Sequence, residues 1–285
     1  MASQVVNAAF GPGENGRGLA HMFHGVEWLL RFDESSIPMT GVRHAVCITT
    51  KGNEHVLAES LASAWAVFPH DGPGSFVIVS ADEPGSEAAR LLEAFASTKP
   101  RGLVHLRFEP QCNRGQGRME AFRLAQQAGA THVVQCVDTD MVYHAPIRDT
   151  IAAYHGIYGG QGVFFQGIGW NICDAATMRR LGGWQERLHI FEDRIVWRRA
   201  WKAGRLVFLP LQFTEHVRAP QRRRPLASIG RKLNYALYGL RHPTALAFDI
   251  WREPAGTRMT NEAELVRLGE LQNSYWSARP RRELL

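Results

Sequence analysis

The chain reads as an α/β protein with an open, mainly parallel sheet flanked by helices, followed by a basic helical C-terminal extension. Three observations predict this. Short β-rich apolar runs alternate with segments whose apolar residues recur at helical spacing. Aspartates stand where two of those runs end, the edge at which open α/β sheets bind their ligands. Charge is also split along the chain: residues 1–216 carry 20 Lys/Arg against 21 Asp/Glu, whereas 217–285 carry 13 against 6, so the basicity belongs to the tail.

The elements follow in order. HAVCITT (44–50) is a β-rich run, and HVLAESLASAWAVF (55–68) repeats its apolar residues at helical spacing. SFVIVSAD (75–82) is a second strand, and PGSEAARLLEAFAS (84–97) opens with proline, serine and acids, as a helix does. LVHLRFE (103–109) is a third strand, GRMEAFRLAQQAGA (117–130) a helix, and THVVQCVD (131–138) a fourth strand. Further on come a helix at 147–158, an apolar stretch GVFFQGIGWNIC (162–173), helical patterns at 174–181 and 191–203, and a last strand RLVFLPL (205–211). The tail carries a linker at 253–264 and a final helix from Met259 to Trp276. There is no internal repeat. Three regions result: an N-terminal segment 1–42, an α/β domain 43–216 and the extension 217–285.

Bulk properties narrow the function. With 45% hydrophobic and 21% charged residues, the 285-residue chain is ordinary for a soluble globular protein. No stretch reaches 18 consecutive apolar residues, and the N-terminus lacks the basic and apolar regions of a signal peptide. The expected location is the cytoplasm. Cys47, Cys112, Cys136 and Cys173 are widely spaced, with no C-x-x-C pair, so they read as small buried hydrophobes. GPGENG (11–16) spells a dinucleotide fingerprint, but its proline and the absence of a surrounding βαβ pattern reject it. HMFH (21–24) has metal-like spacing without an acidic partner, and core packing is its simpler reading.

Asp138 and Asp140, in VVQCVDTDMVYH (133–144), fit three chemistries. Two carboxylates one residue apart at a strand end can hold a hard cation such as Mg²⁺ or Mn²⁺ against phosphate oxygens. The same residues match the D-x-D-x-[TV] nucleophile and acid of haloacid-dehalogenase-like phosphatases. That motif opens its domain, however, and here four strand-like runs lead up to it. Aspartates also terminate strands by bonding to local backbone. A second acidic pair, Glu192 and Asp193, begins a helix after Gly-Gly and an aromatic. It suits either a helix cap or a general base.

In this order the motifs ITTKGNEHVLAESLAS, VSADEPGS, NRGQG, VDTD and RRLGGWQER…FEDRIVWRRAWKAG resemble the nucleotide-sugar-dependent glycosyltransferases of family 2, which have the GT-A fold. The resemblance covers about residues 43–216. It implies an inverting transfer of a sugar from a nucleotide-diphosphate sugar to an acceptor hydroxyl. Thr49, Thr50 and Asp82 would line the nucleoside pocket. Asp138 and Asp140 would form the D-x-D motif that holds Mn²⁺ or Mg²⁺ on the diphosphate, Asp140 more directly. Asp193 would be the catalytic base, with Glu192 its neighbour on the acceptor side. Such chemistry needs one carboxylate cluster for the leaving group and one for the hydroxyl. The aromatic stretch FFQGIGW (164–170) would wall off water.

The chain also departs from the family pattern. Thr-Thr-Lys-Gly-Asn replaces the usual Pro-x-Asn after the first strand, and the common Arg-Asn is missing near Arg118. Asn113, Gly115 and Arg118, with Lys51 and Asn53, are therefore either donor contacts or parts of a plain strand-to-helix turn in which Gly115 and Gly117 supply special φ. His216 stands where GT-A enzymes place a third metal ligand, and equally suits an exposed structural role. Between Val217 and Ala245 lie seven basic residues and no acid, interleaved with Leu226, Ile229, Leu233, Tyr235, Leu237, Tyr238 and Leu240. This mixture suits peripheral contact with an anionic membrane surface, closure over the donor through Arg222–Arg224, nucleic-acid binding, or a solvated face. A non-catalytic sugar- or nucleic-acid-binding module is the remaining alternative. The partners expected are a nucleotide-sugar donor and a glycan, lipid-linked or protein acceptor.

Overall fold

The computed structural model describes residues 41–70, 72–136, 139–188, 192–208 and 213–217, together with Leu233, Ala236, Leu237, Leu240 and residues 257–258. Asp138, the N-terminal segment with GPGENG and HMFH, the tail arginines and the final helix lie outside the described residues.

Strand and helix alternate as expected through the first half. β1 (His44–Thr50), α1 (Glu54–Val67), β2 (Phe76–Ser80), α2 (Glu87–Ser97), β3 (Val104–Phe108), α3 (Arg114–Gln127) and β4 (His132–Cys136) follow one another. The chain continues through β5 (Met141–Tyr143), α4 (Ile147–Tyr158), β6 (Phe164–Gln166), β7 (Trp170–Asp174), α5 (Ala175–Arg180), α6 (Glu192–Lys202), β8 (Leu206–Phe208), β9 (Thr214–His216) and β10 (Thr257–Arg258). Among the described residues, eight strands form one sheet in the order β10-β8-β6-β7-β4-β1-β2-β3. Only β7 runs antiparallel to its neighbours, and β5 pairs separately with β9.

Strand periodicity explains the two-faced core. In β1, Val46 and Ile48 join Phe76 and Ile78 of β2 on the face covered by α1, α2 and α4. The alternate residues Ala45 and Cys47 join Val77 and Val79 beneath α3, α5 and α6. Successive strand side chains point to opposite faces, and burial on both makes these runs apolar throughout. A large apolar side chain such as Phe76, fully buried here, contributes about 1.5–3 kcal/mol.

The apolar stretch 162–173 departs from its expected role. Phe164, Phe165 and Trp170 are at most 2% exposed, because the segment folds into the β6–β7 hairpin at the centre of the sheet. The aromatics pack the core and do not wall a sugar site. Cys47 and Cys173 are buried as expected, and burial pushes the Cys47 thiol up to about 12. Cys112 is only half-buried.

Candidate active site

The parallel strands place their C-terminal ends side by side. Thr50 stands opposite Ser80, and Ile48 opposite Cys136. The loop after β1 stitches these ends together. Gly52 and Asn53 both have φ of 66°, a left-handed pair that turns the chain sharply from strand into helix. The turn aims the Gly52 N–H at Asp82, which accepts it at 2.8 Å on Oδ1. Asp82 Oδ2 accepts from the Ser80 hydroxyl at 2.8 Å. Each carboxylate oxygen keeps a further lone pair for another donor. Asp82 is therefore held in place while it retains acceptor capacity.

The middle residue of the D-T-D motif is the other anchor. Thr139 is buried, with its Oγ1 3.3 Å from Thr50 Oγ1, and it accepts from Asn53 Nδ2 at 3.2 Å. Thr49 turns the other way, as strand alternation requires. A β-carbon added at Gly117 would lie 2.5 Å from Thr49 Cγ2, so Thr49 packs on α3 and only Thr50 turns toward the D-T-D loop. Thr139, Asn53 and Ser80 carry this framework; Asn53, a candidate donor contact in the sequence, donates to Thr139, while Thr139 and Ser80 did not stand out as site residues.

Asp140 is part-exposed, and strand β9 brings His216 to it. Met141 pairs with His216, the Val217 N–H donates to the Asp140 carbonyl at 2.8 Å, and His216 Nδ1 lies 3.8 Å from Asp140 Oδ1. A carboxylate and an imidazole side by side are a donor set that a divalent cation such as Mn²⁺ could share. Among the described residues no third His, Cys, Asp or Glu completes a metal cluster.

NRGQG opens α3, three residues earlier than the apolar spacing predicts. Asn113 and Gln116 form a capping box, with both reciprocal bonds at 2.9 Å, and Asn113 Nδ2 donates to the Glu186 carbonyl at 2.7 Å. Asn113 is thus a helix cap and an anchor for the 184–188 loop. Gly115 and Gly117 adopt helical backbone without positive φ. They serve close approach: the Gly115 N–H donates to the Leu188 carbonyl at 3.2 Å, and a side chain there would meet the Gln185 carbonyl.

Arg118 and Glu192, expected at the donor and the acceptor, are each 1% exposed and pair with one another at 2.8 Å. The Arg118 guanidinium also lies 5.2 Å from the centre of the Trp184 ring. Burial removes both groups from direct contact with substrate. Asp193, the next residue, is half-buried in the first turn of α6 and accepts from the Arg194 N–H at 2.8 Å. Its position at a helix N-terminus stabilises its negative charge.

No protein-family model matches the sequence, and no curated protein sequence does. Solved structures do. The mannosyltransferase PcManGT from Pyrobaculum calidifontis, in complex with GDP-Man and Mn²⁺, is 16% identical with a TM-score of 0.57, over 98% of this chain and 86% of that one. Glucosyl-3-phosphoglycerate synthase from Mycobacterium tuberculosis, with Mn²⁺, uridine diphosphate and glucosyl-3-phosphoglycerate, is 12% identical with a TM-score of 0.49, over 73% and 82%. GalNAc-T7, with UDP, GalNAc and Mn²⁺, is 14% identical with a TM-score of 0.48, over 81% and 55%. Identity at this level speaks to architecture alone. With its mostly parallel sheet and flanking helices, the chain has the GT-A-like fold of nucleotide-sugar glycosyltransferases.

Proposed function

We propose that the protein is a metal-dependent, inverting glycosyltransferase that moves a sugar from a nucleotide-diphosphate sugar to an acceptor hydroxyl. The observation that carries this reading is the convergence of Asp140 and His216 at the ligand-binding edge of a GT-A-like sheet. Asp138 and Asp140, with His216, would hold the cation. An imidazole ligand favours Mn²⁺ over Mg²⁺, which prefers an all-oxygen shell. When bound, the cation would neutralise charge on the departing diphosphate. Asp82, fixed by Gly52 and Ser80, would accept hydrogen bonds from the base or ribose, with Thr50 on the neighbouring strand. Asp193 would take the proton from the acceptor hydroxyl on the opposite face of the sugar.

Thermal unfolding with a panel of nucleoside diphosphates, with and without Mn²⁺, tests this. UDP or GDP should raise the melting temperature only when Mn²⁺ is present, and Asp140→Ala should abolish the shift. Absence of any nucleotide effect in the parent would overturn the assignment.

The basic extension extends this reading to a cytoplasmic enzyme at the face of a membrane, with a glycan, lipid-linked or protein acceptor. Leu233, Leu237 and Leu240 are helical and 57%, 49% and 79% exposed, and their spacing puts them on one helical face. Seven cations and no acid surround them between 217 and 245, the composition of an element that lies on anionic lipid. Among the described residues no helix is long and apolar enough to cross a membrane. Co-sedimentation with phosphatidylglycerol vesicles, but not with phosphatidylcholine vesicles, is the expected result; equal recovery with both would refute the membrane contact.

A further inference from the structure

We infer that Arg118 and Glu192 form a positioning device for Asp193, an inference that rests on Asp193 being the base of the proposed transfer. Glu192 is the first residue of α6 and Asp193 the second. Consecutive helical side chains diverge by about 100°. A Glu192 side chain fixed in the interior therefore also sets the direction in which Asp193 leaves the helix.

Glu192 is fixed by an unusual partner. The guanidinium of Arg118 and the carboxylate of Glu192 meet at 2.8 Å, each 1% exposed, with Trp184 covering the cation. Arg118 sits on α3 among Ala121, Phe122 and Ala125, which pack into the core beside β1 and β2. One residue earlier, Gly117 lets that helix come down onto Thr49 of β1. The pair thus ties the start of α6 to the strand that ends in Thr50, the partner of Thr139 in the D-T-D loop. Asp193 and the D-T-D motif are referenced to the same rigid strand.

Stability alone does not account for such a pair. Desolvating two charges offsets most of their attraction, and apolar residues of similar volume are often as stable or more so. Both Glu192 oxygens lack a hydrogen-bond partner of good geometry among the described residues, so the carboxylate is held by the charge of Arg118 at 2.8 Å. What such a pair adds over an apolar contact is a specific partner, because a buried anion is stable only beside its cation.

The test replaces the pair by an apolar one of similar volume, Arg118→Met with Glu192→Leu, and follows nucleoside diphosphate release from GDP-mannose and UDP-glucose with Mn²⁺. A merely structural pair predicts unchanged kcat wherever the melting temperature is retained. The positioning role predicts a retained melting temperature, a donor KM within about twofold, and a kcat at least about tenfold lower, since a displacement near 1 Å can slow a reaction a hundredfold. Glu192→Gln, which still accepts from Arg118, should recover part of that loss. Adding Asp193→Asn to the apolar pair should lower kcat no further than Asp193→Asn alone. If Asp193→Asn is inactive while the apolar pair keeps parental kcat, the positioning role is wrong and the base assignment stands. If Asp193→Asn keeps parental kcat, the base assignment itself falls. Hydrogen exchange supplies a second readout that needs no substrate: amides 196–199, the first to bond within α6, should exchange at least about tenfold faster in the apolar pair, with α1 and α2 unchanged, and equal rates throughout would overturn the inference.

Discussion

Gly115→Ala should destabilise the protein although it replaces glycine by the best helix former. Alanine gains at most roughly 1 kcal/mol over glycine from backbone entropy, the helix-interior value, and Gly115 stands in the first turn of α3. Against this, the new methyl would overlap the Gln185 carbonyl oxygen and stand 2.9 Å from the Gln185 carbonyl carbon and 3.0 Å from the Leu188 carbonyl oxygen. All three are backbone atoms, so no side chain can rotate away. Relief requires α3 and the 185–188 loop to separate, stretching the 3.2 Å bond from Gly115 to Leu188 and the 2.7 Å bond from Asn113 to Glu186. Overpacking of this kind costs typically 1–3 kcal/mol and occasionally more. With a loss at the top of that range, the net effect is about 2 kcal/mol, or a drop of roughly 4–8 °C in melting temperature for a chain of this size. The control is Gly156→Ala, an exposed helical position with nothing within 4 Å of an added methyl, which should gain up to about 1 kcal/mol. Urea titration of both variants against the parent measures the difference. A Gly115→Ala protein as stable as Gly156→Ala would refute the close-approach reading of NRGQG.

Two further predictions follow from the imidazoles. His44, His132 and His155 form a cluster at the opposite end of β1 and β4, with His44 Nε2 2.8 Å from His155 Nε2. Burial, then neighbouring imidazoles, hold His132 down to about 4 and His155 to about 3. Both lie below the unfolded value near 6.5, so the unfolded chain binds protons first. Their contribution is complete above about pH 6.5 and is lost as pH falls toward 4, by at most about 1.4 kcal/mol per pH unit for each group. The melting temperature should fall between pH 7 and pH 5, with a shallower fall in His155→Phe; a flat profile in the parent would contradict this. At the other end of the sheet, His216→Ala should raise the Mn²⁺ concentration needed for half-maximal stabilisation by nucleotide about tenfold or more, measured by thermal shift. An unchanged requirement would remove His216 from the ligand set.

The sequence disclosed the strand-helix alternation because both faces of the sheet are covered, and each strand therefore announces itself as an apolar run. It did not disclose the β5–β9 ribbon, whose three-residue strands are too short to show a period. The β6–β7 hairpin was visible only as an undivided apolar stretch, since periodicity says nothing about strand direction. In the site, Asp82, Asp140 and His216 drew notice by chemistry and position. Arg118 and Glu192 drew notice for the wrong reason. Each is a charge on an otherwise apolar helix face, Arg118 with Ala121, Phe122 and Ala125, and Glu192 with Ile195 and Val196. That pattern, a cation and an anion set in two core-facing stripes, points to a buried pair and could have been read as one. Thr139 and Ser80 were hidden because hydroxyl framework bonds leave no sequence signature beyond the residue type.

The ribbon formed by β5 and β9 has a consequence for folding. Asp140 and His216 close a long loop, because α4, the β6–β7 hairpin, α5, α6 and β8 all lie between them in the chain. A cation gripped by both would act as a reversible staple across a long loop, recognising the completed fold and not its parts. Loss of metal would then loosen β9 before it loosened β1 or β2, and the first segment freed would be the one that leads directly into the basic tail.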